Sequence, residues 1–188
     1  MKIILIVLGI LLTILFAYSQ NEKFEKEQYT LIKKIENVEI RSYNESVNAS
    51  YFSDSVSQRN SYFKYLASYI FGENSENKKI NMTSPVTMRL YGNKEMIFRM
   101  PSKYSLESLP KSNNPKIYFF KTTRCNKAAI SYGGYSNIKV ETKKINQLKE
   151  VLLKNNIEHT SEFDVLVYNA PYKILNRRNE ITVNITYP

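Results

Sequence analysis

The stretch Lys78–Leu90, KKINMTSPVTMRL, decides how this chain is read. Two lysines precede an apolar residue, a Met-Thr-Ser-Pro turn follows, and then apolar and polar residues alternate. Val86, Met88 and Leu90 fall on one side of an extended segment, and Thr87, Arg89 and Tyr91 on the other. That period of two is the mark of a strand with one buried face. The segment is either a plain entry into a hairpin or the wall of a pocket that grips a flat apolar ligand with an acidic edge.

Outward from this stretch the same alternation recurs. Toward the C-terminus, Met96, Phe98 and Met100 form the next inward set, closed by Pro101. Toward the N-terminus lies an apolar stripe at helical spacing, Phe63, Leu66 and Ile70, with Tyr62 and Tyr69 beside it. It predicts a helix over about 57–71, stopped by Gly72. Before it, YTLIKKIENVEIRSY (29–43) reads as two short strands and ESVNASYF as a third. After a loop over 102–115, strands resume at KIYFFKT and KAAISY, and a second helix is expected over 137–154. The strands FDVLVYNAP and NEITVNITY close the chain, joined through 172–178. The strand-helix-strand-strand order occurs twice. It predicts an α+β fold: a twisted antiparallel β-barrel with two flanking α-helices, built from a pseudo-duplicated unit.

The N-terminus reads as an address. A single lysine precedes an apolar run from Ile3 to Phe16, and Ala17-Tyr18-Ser19 supplies small residues where a signal peptidase reads. Residues 1–19 are expected to be a signal peptide or an N-terminal anchor, 20–28 a polar spacer, and 29–188 the folded domain. The run is shorter than the roughly 20 residues that span a bilayer. The expected location is extracytoplasmic, periplasmic or secreted, with membrane contact only through an uncleaved segment 3–18.

Composition narrows the function. The 188-residue chain is 43% hydrophobic and 23% charged, enough for one globular domain. Its net charge of +10 is spread over scattered lysines, with no basic stripe interleaved with aromatics and no nucleic-acid motif, so no nucleic acid is expected as partner. One cysteine, Cys125, and one histidine, His159, exclude a disulfide framework and a multi-histidine or cysteine-based metal site. There is no phosphate-binding glycine loop and no nucleophile elbow. Glu36, Glu39 and Glu180 read as isolated strand carboxylates beside basic residues, so no acid-base pair is nominated and no enzyme is expected. What remains is apolar groups flanked by cations. Phe63, Leu66, Ile70 and Met82 sit near Arg59, Lys78, Lys79, Arg177 and Arg178 in one reading of the fold. Methionine adapts to flat apolar surfaces and arginine grips carboxylates, which suits a porphyrin with propionates. The same residues also suit the core of a small barrel with arginines on its surface.

Five stretches together carry a family resemblance: YTLIKKIENVEIRSY, YFKYLASYIFGEN, KKINMTSPVTMRL, MIFRMPSKYSLESLP and YNAPYKILNRRNEITVNI. In this order and spacing the chain resembles the SOUL haem-binding protein family over most of 29–187. The resemblance implies a duplicated barrel also seen in bacterial effector-binding domains. It implies binding of haem or another tetrapyrrole, without turnover, in an exposed apolar groove beside the first helix; a monomer is expected. Phe63, Leu66, Ile70 and Met82 would line that groove. Arg177 and Arg178 match the family's terminal basic pair, and Arg59 is added on physical grounds as a rim cation. Some relatives carry histidine as an iron ligand where this chain has Ser42, so axial histidine ligation there is excluded. An effector-type module for another amphipathic small molecule is the alternative.

Overall fold

The computed structural model describes residues 28–52 and 59–187, with side chains in the first helix from Tyr62 onward. The expected signal segment and spacer lie outside the described residues. Nine strands and two helices are described: β1 (Tyr29–Ile35), β2 (Val38–Tyr43), β3 (Ser46–Tyr51), α1 (Arg59–Ile70), β4 (Val86–Arg89), β5 (Met96–Arg99), β6 (Ile117–Thr122), β7 (Cys125–Tyr132), α2 (Ile138–Lys154), β8 (His159–Val167) and β9 (Asn179–Ile185). Every strand read from alternation is present. Two details differ from expectation. Glu36 sits in the turn between β1 and β2 with φ of 53°, not on a strand. The eighth strand also begins earlier than FDVLVYNAP: His159 opens β8, which bonds β9 at His159, shifts register and resumes at Phe163.

All strands join one antiparallel sheet in the order β1-β2-β7-β9-β8-β4-β5-β3-β6. The expected barrel is therefore corrected to an open sheet. Closure would require β1 to hydrogen-bond β6, and these two strands are instead the edges. Lys33 and Lys34 on β1 supply edge charges that oppose further strand addition.

Register dictates which residues share a face. Val86 pairs Phe98 and Val167, Met88 pairs Met96 and Val165, and Val165 pairs Ile181. The apolar sets of β4, β5, β8 and β9 thus lie on one face, and both helices cover it. Leu152 of α2 packs with Val38, Ile40, Ile130, Val165 and Ile181 of the sheet, and Leu66 and Ile70 of α1 pack with Ala49, Val86, Phe98 and Ile117. Met88 touches both clusters and joins them into one core. Burying each such side chain is worth about 1.5–3 kcal/mol.

Local chemistry ends the helices where the sequence says. Gly72, at φ of 119°, lets the Glu73 amide donate to the Ser68 carbonyl (2.9 Å) and its own amide donate to Tyr69 (3.3 Å). This left-handed cap consumes carbonyls that would otherwise be orphaned, and a side chain at Gly72 would strain it. The α2 N-terminus is capped by the Asn137 side chain, which accepts from the Val140 amide at 3.1 Å.

The KKINMTSPV segment leaves α1 and ties both halves of the sheet. The Ile80 amide donates to the Ile70 carbonyl at 2.8 Å, seating Ile80 in the core. Thr83 Oγ1 donates to the Arg99 carbonyl (2.5 Å) and Ser84 Oγ to the Tyr168 carbonyl (3.1 Å). Gln28 Nε2 donates to the Ser84 carbonyl at 2.6 Å, so the segment also anchors the start of β1.

Candidate ligand-binding site

The residues expected to form a haem groove separate into three environments. Leu66 and Ile70 are fully buried core residues facing the sheet. Phe63 is half-buried, its ring 5.4 Å from that of Phe98. Met82 is 46% exposed, and Phe71, at the end of α1, is 63% exposed. The Ile80–Ile70 backbone bond leaves Phe71 one residue and Met82 two residues from its ends. The side chain of Arg59, at the start of α1, lies outside the described residues.

The two arginines diverge. Arg177 is buried; its guanidinium donates to the carbonyls of Ala170 (2.7 Å), Lys173 (2.7 Å) and Asn169 (3.4 Å) and lies 4.3 Å from the Tyr135 ring centroid. It holds the 169–178 loop. Arg178 lies over the Tyr168 ring (4.4 Å) and bonds Glu180 (2.9 Å). Because Ser84 bonds the Tyr168 carbonyl, Arg178 and the Met82–Ser84 turn converge on Tyr168. Ser42 lies on β2 in register with Asn126 and Thr30.

The face of the sheet that carries no helix is unlike an ordinary solvated face. Arg41, Glu180, Thr182, Ser50, Asn48 and Asp164 all lie on it and are all buried. At one end Glu180 is 0% exposed and gathers hydrogen bonds from four side chains. Arg41 bonds it through both terminal nitrogens (2.7 and 2.9 Å), joined by Arg178 (2.9 Å), Ser131 (3.0 Å) and Tyr168 (2.8 Å). Burial pushes the Glu180 carboxyl up, but the hydrogen bonds and charge of Arg41, then Arg178, overcome it and bring the pKa to about 2. Burial and the Glu180 charge together hold the Tyr168 hydroxyl well above its ordinary value. Arg41 also bonds Glu39 (2.7 and 2.9 Å) and lies over Tyr29 at 4.2 Å.

Beside this network the same face curves into a cleft of 360 Å³, within the roughly 300–1,000 Å³ range of small-molecule pockets. Its floor is set by register: Arg89 pairs Asp164, Asp164 pairs Thr182, and Lys127 pairs Asn184. Arg99, Lys121, Phe120, Ile97 and Leu166 form its walls. Lys127 Nζ lies 3.3 Å from one oxygen of Asp164. Burial raises the Asp164 carboxyl above its ordinary value, with Lys127 and Arg89 partly opposing the shift. Arg89 is ion-paired with Glu95, which also accepts from Ser50 and Tyr118. Among the described residues no cluster of three or more metal-ligating side chains occurs. Sequence reasoning did not find this cleft, although alternation placed Thr87 and Arg89 opposite the core face; which distant residues join them depends on strand pairing.

The SOUL heme-binding protein family model matches residues 24–184. The chain has no match among curated proteins. Among solved structures it resembles the EcmrR C-terminal domain, with a TM-score of 0.60 at 11% identity, covering 85% of this chain and 99% of that one. A structure described as a hydrolase from Listeria innocua matches with a TM-score of 0.60 at 6% identity, over 82% of this chain and 94% of that one. An EcmrR–DNA complex matches with a TM-score of 0.58 at 13% identity, over 95% of this chain and 65% of that one. At such identities these likenesses speak to the fold alone.

Proposed function

Because the chain belongs to the SOUL heme-binding protein family, we propose that it binds haem or a related tetrapyrrole, as a monomer and without turnover. The observation that carries this reading is the family match over nearly all of the described chain. The exposed Met82 and Phe71 beside α1, with Phe63 half-buried nearby in sequence, support a place for an apolar macrocycle there. In this reading Leu66 and Ile70 support the groove from beneath. Arg178 of the family's basic pair is the proposed propionate cation, Arg177 shapes the loop beside it, and Arg59 is the further rim cation. With Ser42 in place of histidine, binding rests on apolar contact and ion pairing, so iron adds little.

Titration of the full chain with haem and with iron-free protoporphyrin tests this. Saturable micromolar binding of both is expected, with affinities within about tenfold of each other. Met82→Asp is expected to weaken both roughly tenfold or more by setting a charge against an apolar surface, while thermal stability stays put because the site is exposed. Absence of saturable binding, or a Met82→Asp chain that binds as before, would refute the proposed groove.

The strand order supports an internal duplication. Leaving β1 aside, exchanging β2, β7, β9 and β8 for β6, β3, β5 and β4 gives the same order read from the other edge, with one helix over each half. The extracytoplasmic location and the 29–188 domain remain part of the proposal; N-terminal sequencing of the protein from its native cells would show whether residues 1–19 are removed.

A second reading is favoured by the cleft on the open face: an effector-type module that takes another amphipathic small molecule. A polar floor with a buried carboxylate is chemically unlike the face of a porphyrin, so this ligand would be a different one.

A further inference from the structure

Two buried atoms on the floor of the cleft have hydrogen-bonding capacity that the described residues leave unused. Asp164 is 7% exposed and Thr182 is 0% exposed. Asp164 Oδ2 takes the Lys127 ammonium, whereas Asp164 Oδ1 and Thr182 Oγ1 find no partner among the described residues. Asn184 Oδ1 and Arg89 Nε, on the same floor, are likewise unpartnered. Buried polar atoms in folded proteins are nearly always hydrogen-bonded, and each exception asks for an explanation. Here the exceptions converge. Asp164 and Thr182 are directly paired across β8 and β9, and Arg89 and Asn184 flank them on the same face.

The capacities left open are complementary to one kind of molecule. Carboxylate, amide and hydroxyl oxygens accept hydrogen bonds, so they call for hydroxyl or amine donors. The charge around them still favours an anion: four cations, Arg89, Arg99, Lys121 and Lys127, line the cleft against three pairing carboxylates, Glu95 on Arg89, Glu45 on Lys121 and Asp164 on Lys127, a surplus of positive charge. Arginine offers a carboxylate a paired grip, and lysine a point charge. Phe120, Ile97 and Leu166 supply apolar wall for a short carbon skeleton.

We propose that the open-face cleft binds a small hydroxylated carboxylate, its acid group toward Arg89, Arg99 and Lys127 and its hydroxyls on Asp164, Thr182 and Asn184. The site rests on the second reading above and is independent of tetrapyrrole binding at α1. A tetrapyrrole has propionates but no ring of hydroxyl donors, and so leaves the floor unmatched.

A matched set of probes tests the assignment: gluconate, glucose and N-methylglucamine carry similar hydroxyls with negative, zero and positive charge. Each is titrated into the ¹⁵N-labelled full chain while backbone amide shifts are followed. Gluconate is expected to move the Lys127, Asp164, Thr182 and Asn184 amides saturably, with glucose at least tenfold weaker. Thr182→Val keeps the shape and removes an unpartnered hydroxyl, so folding stability should hold. Gluconate affinity should fall about three- to tenfold for the lost hydrogen bond. A Thr182→Val chain that binds gluconate unchanged would overturn the assigned floor contacts. Preference for N-methylglucamine would overturn the ligand class while leaving the cleft a ligand site. If none of the three moves the cleft amides, the proposal and the second reading both fall, and the haem titration is unaffected.

Discussion

Glu180→Ala is expected to destabilise the protein by about 3–5 kcal/mol, the cost of leaving a buried charge without its partner. The Arg41 guanidinium is 1% exposed, and Glu180 takes both of its terminal nitrogens. Arginine keeps its proton at any ordinary pH, so with Glu180 removed the buried guanidinium cannot escape by losing its charge. Glu39 keeps its two bonds to Arg41 after the substitution, which favours the lower half of the range. Replacing the pair together, Arg41→Met with Glu180→Leu, should recover at least half of the loss, because no buried charge is then orphaned. Urea unfolding followed by far-ultraviolet circular dichroism measures all three chains. A single-variant loss below about 1 kcal/mol would mean that the network is not a stabilising unit.

The same carboxylate gives stability an acid dependence with a definite sign. Its folded pKa of about 2 lies below the ordinary 4.5. A depressed folded value means the stabilisation is complete above about pH 4.5 and is lost as pH falls toward 2, when the unfolded chain takes up the proton first. The difference amounts to something on the order of 3 kcal/mol. Glu180→Gln removes that titration, so stability measured between pH 5 and pH 2.5 should fall less steeply in the variant than in the parent. Equal slopes would assign the acid sensitivity to other groups.

Leu66→Ala carries the second large effect, a loss of about 2–5 kcal/mol. Leu66 has no exposed surface and belongs to the cluster that joins α1 to β3 and β5. Truncation leaves a cavity in a close-packed interior, whose walls collapse only in part. Met82→Ala, at an exposed position four residues before the start of β4, should stay within about 0.5 kcal/mol. The two together separate core from ligand surface: a Leu66→Ala chain that unfolds at nearly the parental urea concentration would mean that Leu66 faces outward. Any haem titration of Leu66→Ala must therefore be read beside its unfolding midpoint.

That contrast marks what helical spacing can and cannot say. Phe63, Leu66 and Ile70 were legible as one apolar stripe, because 3.6 residues per turn is a property of the chain itself. Whether the stripe meets a sheet or a ligand is a matter of what lies opposite. β3 and β5 lie opposite, so the stripe became core and left Met82 and Phe71 as the exposed apolar groups. Arg177 was legible as part of a basic motif, but its three carbonyl partners and the Tyr135 ring appear only once the 169–178 loop is closed.

Strand alternation, the Gly72 stop, the two helices and the α+β class were all determined by the sequence alone, since each depends on residues within a turn or a strand of one another. The family motifs added the order in which these elements are used. Only the tertiary structure decided that the sheet is open, that Arg41 meets Glu180 across 139 positions, and that Arg89, Asp164 and Thr182 share a floor. The alternate positions of these strands looked like an ordinary solvated face, polar and charged. Pairing in the order β7-β9-β8-β4-β5 set them side by side, where they bury one another in ion pairs and hydrogen bonds. A local period says which residues point the same way; the neighbours they point toward are set by strands far apart in the chain.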